Sequence, residues 1–467
     1  MKTSLSAEVA RPVGESLRQA NAAFAKRYPG ESSQRQPVHT VYGGAHLFKT
    51  DSAQRLGTLA LRSLERFAPD PFVFAQAIGL PGSERLTGNR EAGGGENRSA
   101  RLAQTIYSRV LDKLAREPVE DFRIDFEDGY GTRSDAEEDG HAVSCADEVA
   151  TGMASGTLPP FLGIRIKPFS EDFRERGVRT LDIFLTRLAE QTRGALPPNF
   201  ITTLPKVTAP EQVSALADLF DALEPSLQLP AGSLRIELMI ETPQSILNPR
   251  GESALLHLVE AARGRCLSAH FGTYDYTASC NITAAHQRMT HASCDFARLM
   301  MQTALAGTGV WLSDGATNIL PVPLHRAEEG GGLTPQQEEQ NRRAVHRAWR
   351  IHYDDIQHSL INGYYQGWDL HPAQLPTRYA AVYAFFLDGL DAAAERLRTF
   401  VEKAARATLV GDIFDDAATG QALLNYFLRA INCGAIAEAE ALPLTGLSLA
   451  EIRLRSFAKI LSQRRRS

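Results

Sequence analysis

Along most of the chain, short runs of apolar and β-branched residues alternate with longer stretches in which apolar residues recur every three or four positions. The first pattern predicts buried strands and the second amphipathic helices. Eight strands follow from it: Val38 to Gly43, Asp121 to Phe126, Leu162 to Ile166, Ile201 to Val207, Leu234 to Glu241, Cys266 to Gly272, Gly309 to Ser313 and Gly367 to Leu370. Eight strands alternating with helices is the count of a closed (β/α)8 TIM barrel. An open doubly wound sheet is the alternative. The barrel is preferred because polar and charged residues recur at the C-terminal end of nearly every strand, and a barrel gathers those ends at one mouth.

The flanks follow other patterns. Residues 1–36 read as an N-terminal helical segment, a polar amphipathic helix from Leu5 to about Arg27 stopped by Tyr28-Pro29-Gly30 and expected to pack on the outside of the core. The barrel domain is then 37–375. Beyond it, Tyr379, Val382, Tyr383, Phe386, Leu390, Leu397 and Val401 keep helical spacing. Further helices near Asp412 to Ile431 and Ser448 to Ser462 make 376–467 an all-helical extension. Its apolar faces must cover either the barrel or a neighbouring subunit.

Two connections exceed a simple crossover, and each holds a glycine cluster. The first carries helices near Asp51 to Phe67 and Arg101 to Glu117, separated by Gly93-Gly94-Gly95. The second is Glu328-Glu329-Gly330-Gly331-Gly332, followed by Thr334 as an N-cap, Pro335 in the first turn and Gln337 as capping-box partner of a long helix to about His358. Surface loops are the simplest reading of both clusters, with lid hinges as the alternative.

Composition narrows the function classes. With 467 residues, 43% of them apolar, the chain can bury a large core. A net charge of -5 with both signs interspersed leaves no footprint for a nucleic acid, and Arg464-Arg465-Arg466 reads as a solvated terminus. No apolar run approaches the ~20 residues of a membrane span, and Met1 to Leu5 lacks the apolar core of a signal peptide, so a cytoplasmic protein is expected. Five widely spaced cysteines, Cys145, Cys266, Cys280, Cys294 and Cys433, fit free packed thiols in a reducing compartment.

The strand ends carry the candidate chemistry. Glu241 directly follows Leu238-Met239-Ile240, where burying an unpaired charge costs several kcal/mol. Either an arginine from a neighbouring strand pairs it, or it is a ligand for a hard divalent cation with Asp275 of the next strand as second ligand. Mg2+ needs only one or two protein carboxylates and completes its octahedron with water and substrate oxygens. In Asp125-Phe126-Glu127-Asp128-Gly129, alternation sets Asp125 and Glu127 on one face, while Asp128 or Asp135 has a simpler reading as a helix cap. Arg165 and Lys206 bring positive charge to the same rim. Arginine suits a carboxylate clamp and lysine a point charge or a Schiff-base nucleophile, with compensation of the acids as their structural role. Trp368-Asp369-Leu370-His371-Pro372-Ala373-Gln374 adds a further polar set, His371 included.

Asp-Phe-Glu-Asp-Gly, Gly-Ile-Arg-Ile, Leu-Pro-Lys-Val, Ile-Glu-Thr, Phe-Gly-Thr-Tyr-Asp-Tyr and His-Pro-Ala-Gln occur in that order over residues 115–375. The series resembles the citrate lyase β-subunit group of the HpcH/HpaI aldolase superfamily, malyl-CoA lyase included, and within it a subgroup of long aldolase-like chains. The resemblance implies a Mg2+-dependent barrel, with Mn2+ as a substitute, that makes or breaks a carbon–carbon bond beside a 2-oxo acid or acyl-CoA. It implies Glu241 and Asp275 as metal ligands, Arg165, Asp128 and Lys206 as catalytic residues, and Arg165, Glu127 and His371 as substrate contacts. Asp128 stands where the aldolases have a histidine base. The relatives are commonly trimers or hexamers, which implies a homo-oligomer.

The chain departs from that pattern in its length, in the long separation of Glu241 from Asp275, and in the segment Tyr276 to Asn318, which has no counterpart in the small lyases. A malate-synthase-like condensation of an acyl-CoA with a 2-oxo acid would use the same metal site. A catalytically silent barrel acting as a binding protein would need none of Glu241, Asp275 and Arg165.

Overall fold

The computed structural model describes residues 4–30, 32, 34–85, 98–327, 331–403, 408–410, 413–415 and 417–464. Gly93-Gly94-Gly95, Glu328-Glu329-Gly330 and Arg465-Arg466, singled out above, lie outside the described residues. Eight parallel strands close a barrel in sequence order: β1 (His39–Gly44), β2 (Asp121–Asp125), β3 (Phe161–Arg165), β4 (Phe200–Leu204), β5 (Ile236–Ile240), β6 (Cys266–Phe271), β7 (Trp311–Ala316) and β8 (Gln366–Asp369), the last pairing back onto β1. All eight predicted strands are present, each shifted by at most a few residues. β5 shows why the pattern was readable. Ile236, Leu238 and Ile240 join the hydrophobic core, while Glu237 and Met239 alternate to the barrel axis and reach the Tyr42 hydroxyl.

The helices are α1 (Ala7–Arg27), α2 (Ser52–Phe67), α3 (Pro71–Ile78), α4 (Arg98–Arg116), α5 (Asp135–Ser155), α6 (Arg174–Thr192), α7 (Pro210–Ser226), α8 (Pro243–Ile246), α9 (Leu255–Ala261), α10 (Thr273–Ser279), α11 (Ala292–Leu305) and α12 (Pro335–Ile361). The extension adds α13 (Leu375–Asp388), α14 (Leu390–Glu402), α15 (Ala417–Asn432), α16 (Ala441–Thr445), α17 (Leu449–Arg453) and α18 (Phe457–Arg464). Thr334 caps α12 with Gln337 in a reciprocal capping box, as the sequence indicated. The cap of α5 is Ser134, boxed with Glu137, so neither Asp128 nor Asp135 is used as a cap.

Four elements differ from expectation. Helix α1 does not pack on the core: none of its residues is buried, and Val9, Val13, Leu17 and Phe24 are exposed. Helix α3, capped by Asp70 with Pro71 at its start, was hidden in a short apolar run. The extension is helical except for an antiparallel pair, β9 (Thr408–Val410) with β10 (Ile413–Asp415), where a helix was expected from Asp412. The last predicted helix is split, because Arg455 takes φ 50°, a left-handed conformation that ends the helical run between α17 and α18. Helix α13 packs against α4 and α12, so the extension begins by covering the barrel. No helix among the described residues is long and apolar enough to cross a membrane.

The barrel axis below the mouth is polar. Arg123 of β2 donates to Glu237 of β5 through Nε at 3.1 Å and Nη2 at 2.7 Å, and also pairs with Asp121. Thr203 of β4, Ser268 and His270 of β6 and Tyr42 of β1 contact the same Glu237 carboxylate at 2.6, 2.9, 2.9 and 3.2 Å. Burial alone would raise the Glu237 carboxyl, but Arg123 and His270 hold it well below its ordinary range. Glu237→Ala leaves Arg123 buried without its bidentate partner and is expected to cost ~3–5 kcal/mol in urea unfolding. Leu17→Ser on exposed α1 is expected to change stability by less than about 0.5 kcal/mol in the same assay.

Candidate functional site

Parallel strands in a closed barrel deliver their C-terminal ends to one rim, and five consecutive ends bring the charged side chains together. At the end of β2, Asp125 is fully buried and accepts a bidentate pair from Arg165 of β3, Nε at 2.7 Å and Nη2 at 2.5 Å. The same carboxylate accepts the backbone N–H groups of Glu127 at 2.9 Å and Gly129 at 2.7 Å. This explains the glycine of the Asp-Phe-Glu-Asp-Gly turn, since a Cβ at 129 would lie 2.6 Å from Asp125 Oδ2. The Arg165 guanidinium lies over the Tyr42 ring at 4.7 Å and turns Nη1 toward Glu127 Oε2 at 3.1 Å and Asp128 Oδ2 at 3.8 Å. Burial opposes the charge, yet Asp125 and Glu127 keep Arg165 protonated well above its ordinary value.

Lys206 follows β4 with φ 50°, an uncommon backbone for a residue other than glycine. That turn aims its backbone N–H at Glu241 Oε1, 2.7 Å away. Its ammonium reaches Glu127, Asp128 Oδ2 at 3.2 Å and Asp275 Oδ1 at 3.5 Å. Desolvation pulls its pKa down, but Glu241 and Glu127 outweigh it and hold the amine protonated above its ordinary value. That disfavours the Schiff-base reading, which needs a neutral amine.

Glu241 sits just past β5 and is 1% exposed. Among the described residues no arginine or lysine side chain forms an ion pair with it, so the alternative reading of an arginine partner is not met, although the charges of Lys206 and Arg165 still favour its ionised form. Burial, reinforced by the negative charge of Asp275, pushes its carboxyl up to about 8. Gly272, between β6 and α10, is required by the approach of this side chain: a Cβ there would fall 2.5 Å from both Glu241 Cβ and Oε2. Asp275 lies in the first turn of α10, half-exposed at the mouth. The long separation of the two acids is taken up by α8, a Leu247–Ser253 bridge and α9, so they still arise from adjacent strands.

Glu127, Asp128, Arg165, Lys206, Glu241 and Asp275 therefore meet at one rim. His371 lies just past β8, where its ring accepts the Ala373 N–H at 3.1 Å and caps a one-turn helix. Glu127 and Asp128 are pushed apart. Desolvation lifts the Glu127 carboxyl, whereas Arg165 overcomes desolvation at Asp128 and lowers it. Among the described residues no three of His, Cys, Asp and Glu are arranged to hold a metal ion. Two hard oxygen donors, one of them buried and outside any side-chain ion pair, still fit a cation that takes its other ligands from water and substrate.

Residues 17–460 match a family described as a domain of unknown function, DUF6986. The chain belongs to this family. No curated protein matches the sequence. Among solved structures, a citrate lyase from Burkholderia xenovorans LB400 is similar at TM-score 0.52 and 19% identity, over 73% of this chain and 92% of that one. Haloferax volcanii malate synthase gives 0.43 at 13% identity, over 91% of this chain and 99% of that one. CitE of Mycobacterium tuberculosis, in complex with magnesium and pyruvate, gives 0.39 at 13%, over 75% and 91%. At these identities the first likeness establishes the shared barrel fold.

Several residues that build the site went unnoticed in the sequence. Tyr42 and Gly272 looked like ordinary strand residues, although the two glycines after Tyr42 and the alternation of Glu237 with Glu241 were available signals. Asp125, read only as one of three acids, is the principal partner of Arg165. The raised Glu241 carboxyl also fixes a pH dependence. The folded chain keeps this proton up to about pH 8, while the unfolded chain releases it near its ordinary 4.5. The unfolded state thus binds fewer protons in that window, and stability must fall as pH rises through it. Thermal melts in chelator from pH 5 to 8.5 are expected to show that decline, and Glu241→Gln to flatten it; parallel curves would mean that Glu241 is ionised throughout.

Proposed function

We propose that the chain is a Mg2+-dependent carbon–carbon lyase acting beside the carbonyl of a 2-oxo acid or its thioester. One observation carries the reading: Glu241 is buried at the mouth beside a second carboxylate, Asp275, and among the described residues makes no side-chain ion pair, the nearby Lys206 ammonium pairing instead with Glu127, Asp128 and Asp275. Such a pair favours a divalent cation over a structural role, because an ion pair buried for stability would have its partner in place. In this reading Glu241 and Asp275 hold the metal, which supplies Lewis acidity toward the negative charge left when the bond breaks.

The protein groups divide the remaining work. Arg165, clamped by Asp125 through Nε and Nη2, offers Nη1 to a substrate oxygen without needing to reorient, which is how preorganised donors lower a barrier. Asp128 is half-exposed and ionised, so its Oδ2 is the group to take up a proton at the mouth. Glu127, shifted the other way, is the group to give one back. Lys206 bridges the two and keeps their charges from repelling the substrate carboxylate. His371 has no role in this scheme.

Calorimetry with Mg2+ and pyruvate is expected to show metal binding that Glu241→Gln weakens by roughly 100-fold. Arg165→Lys, which loses the bidentate clamp, is expected to lower kcat with little effect on metal affinity. Metal affinity unchanged in Glu241→Gln would sink the assignment.

A further inference from the structure

The mouth is not charged all the way round. The groups above come from the ends of β2 to β6, whereas the segments after β7, β8 and β1 present exposed apolar side chains, with the uncharged Asn318 and the half-buried His371 beside them. Leu370 directly follows β8 and is 42% exposed; Ile319 and Leu320 follow β7 at 40% and 36%; Leu47 follows β1 at 68%. On the neighbouring strands β1 and β8, the Tyr42 and Trp368 rings meet at 4.6 Å with their planes inclined by 39°. Exposed leucines and isoleucines occur singly on any surface. Here strand order sets them side by side on three neighbouring strand ends.

Both borders between the two sectors are tied to the candidate site. At one border Tyr42 lies under Arg165 on one face and beside Trp368 on the other. At the other, the Tyr274 hydroxyl donates to Ala316 O at 2.7 Å and accepts the Asn318 N–H at 3.0 Å, which fixes the start of the Ile319-Leu320 loop one residue from Asp275. The apolar sector is thus tied at both borders to residues next to the candidate site in space or in sequence.

We infer that the substrate is amphipathic: an oxo-acid head bound over β2 to β6 and an apolar tail laid across the β7, β8 and β1 sector. This rests on the proposed lyase reading, and it assigns the substrate class that reading leaves open. The tail is a straight alkyl or aryl group, since the sector presents apolar carbon and no charged side chain among Tyr42, Leu47, Ile319, Leu320, Trp368 and Leu370. Each methylene removed from water is worth ~0.8 kcal/mol, or about a fourfold gain in affinity.

The test is calorimetry of the full chain with Mg2+ and a series of straight 2-oxo acids: pyruvate, 2-oxobutanoate, 2-oxohexanoate and 2-oxooctanoate. Affinity is expected to rise about fourfold per methylene. Leu320→Asp with Leu370→Asp is expected to shrink that gain, cutting the ratio of 2-oxooctanoate to pyruvate affinity. Pyruvate that binds with Mg2+ while longer acids bind no better overturns the inference and leaves the lyase reading standing. Failure of every acid, pyruvate included, overturns both. Light scattering on the same double variant covers the other occupant: loss of an oligomer with an unchanged chain-length gain would assign the sector to contact between copies and overturn the inference.

Discussion

The group on which the mouth depends is the Glu241 carboxyl, removed from water at the end of β5 and outside any side-chain ion pair among the described residues. Nearly every neighbouring feature is arranged around that carboxyl. Lys206 adopts a left-handed backbone and turns its N–H to it. Gly272 gives up a side chain to make room for it. The nearby lysine and arginine charges are spent on Glu127, Asp128 and Asp125 instead. Taking such a group out of water costs stability, and groups of this kind cluster at functional sites.

The second constraint is the fixity of Arg165. Two of its nitrogens are held by Asp125, which is itself held by two backbone N–H groups of its own turn, and its flat face rests on Tyr42. Tyr42 in turn contacts Glu237, the hub of the polar axis. The orientation of the Arg165 guanidinium is therefore continuous with the interior of the barrel. A small repacking of the axis would be felt at the rim.

The fold was legible because β5 and its counterparts present the same alternation in every strand, and because chain order in a parallel barrel fixes which ends are neighbours. Glu241, Asp275, Arg165 and Lys206 stood out for the same reason: charge directly after an apolar strand is rare. The partners were not legible. Nothing local says that Asp125, rather than Glu127, takes Arg165, since that choice depends on the register of β2 against β3. His371 looked equivalent to the other polar strand-end residues, and its cap on Ala373 is a local contact that the strand pattern did not announce. The β9–β10 pair and the break at Arg455 were hidden by helical spacing that continues through both.

The polar axis also bears on how such a chain can fold. Arg123 and Glu237 are 114 positions apart, and Tyr42 and Glu237 195 apart. A half-barrel ending before β5 would hold Arg123 and Asp121 in a forming core without the carboxylate that neutralises the guanidinium twice over. One beginning after β2 would bury Glu237 with Thr203, Ser268 and His270 but without its arginine. The pair therefore forms only when β2 and β5 face each other across the barrel, at the entropic cost of closing the chain between them.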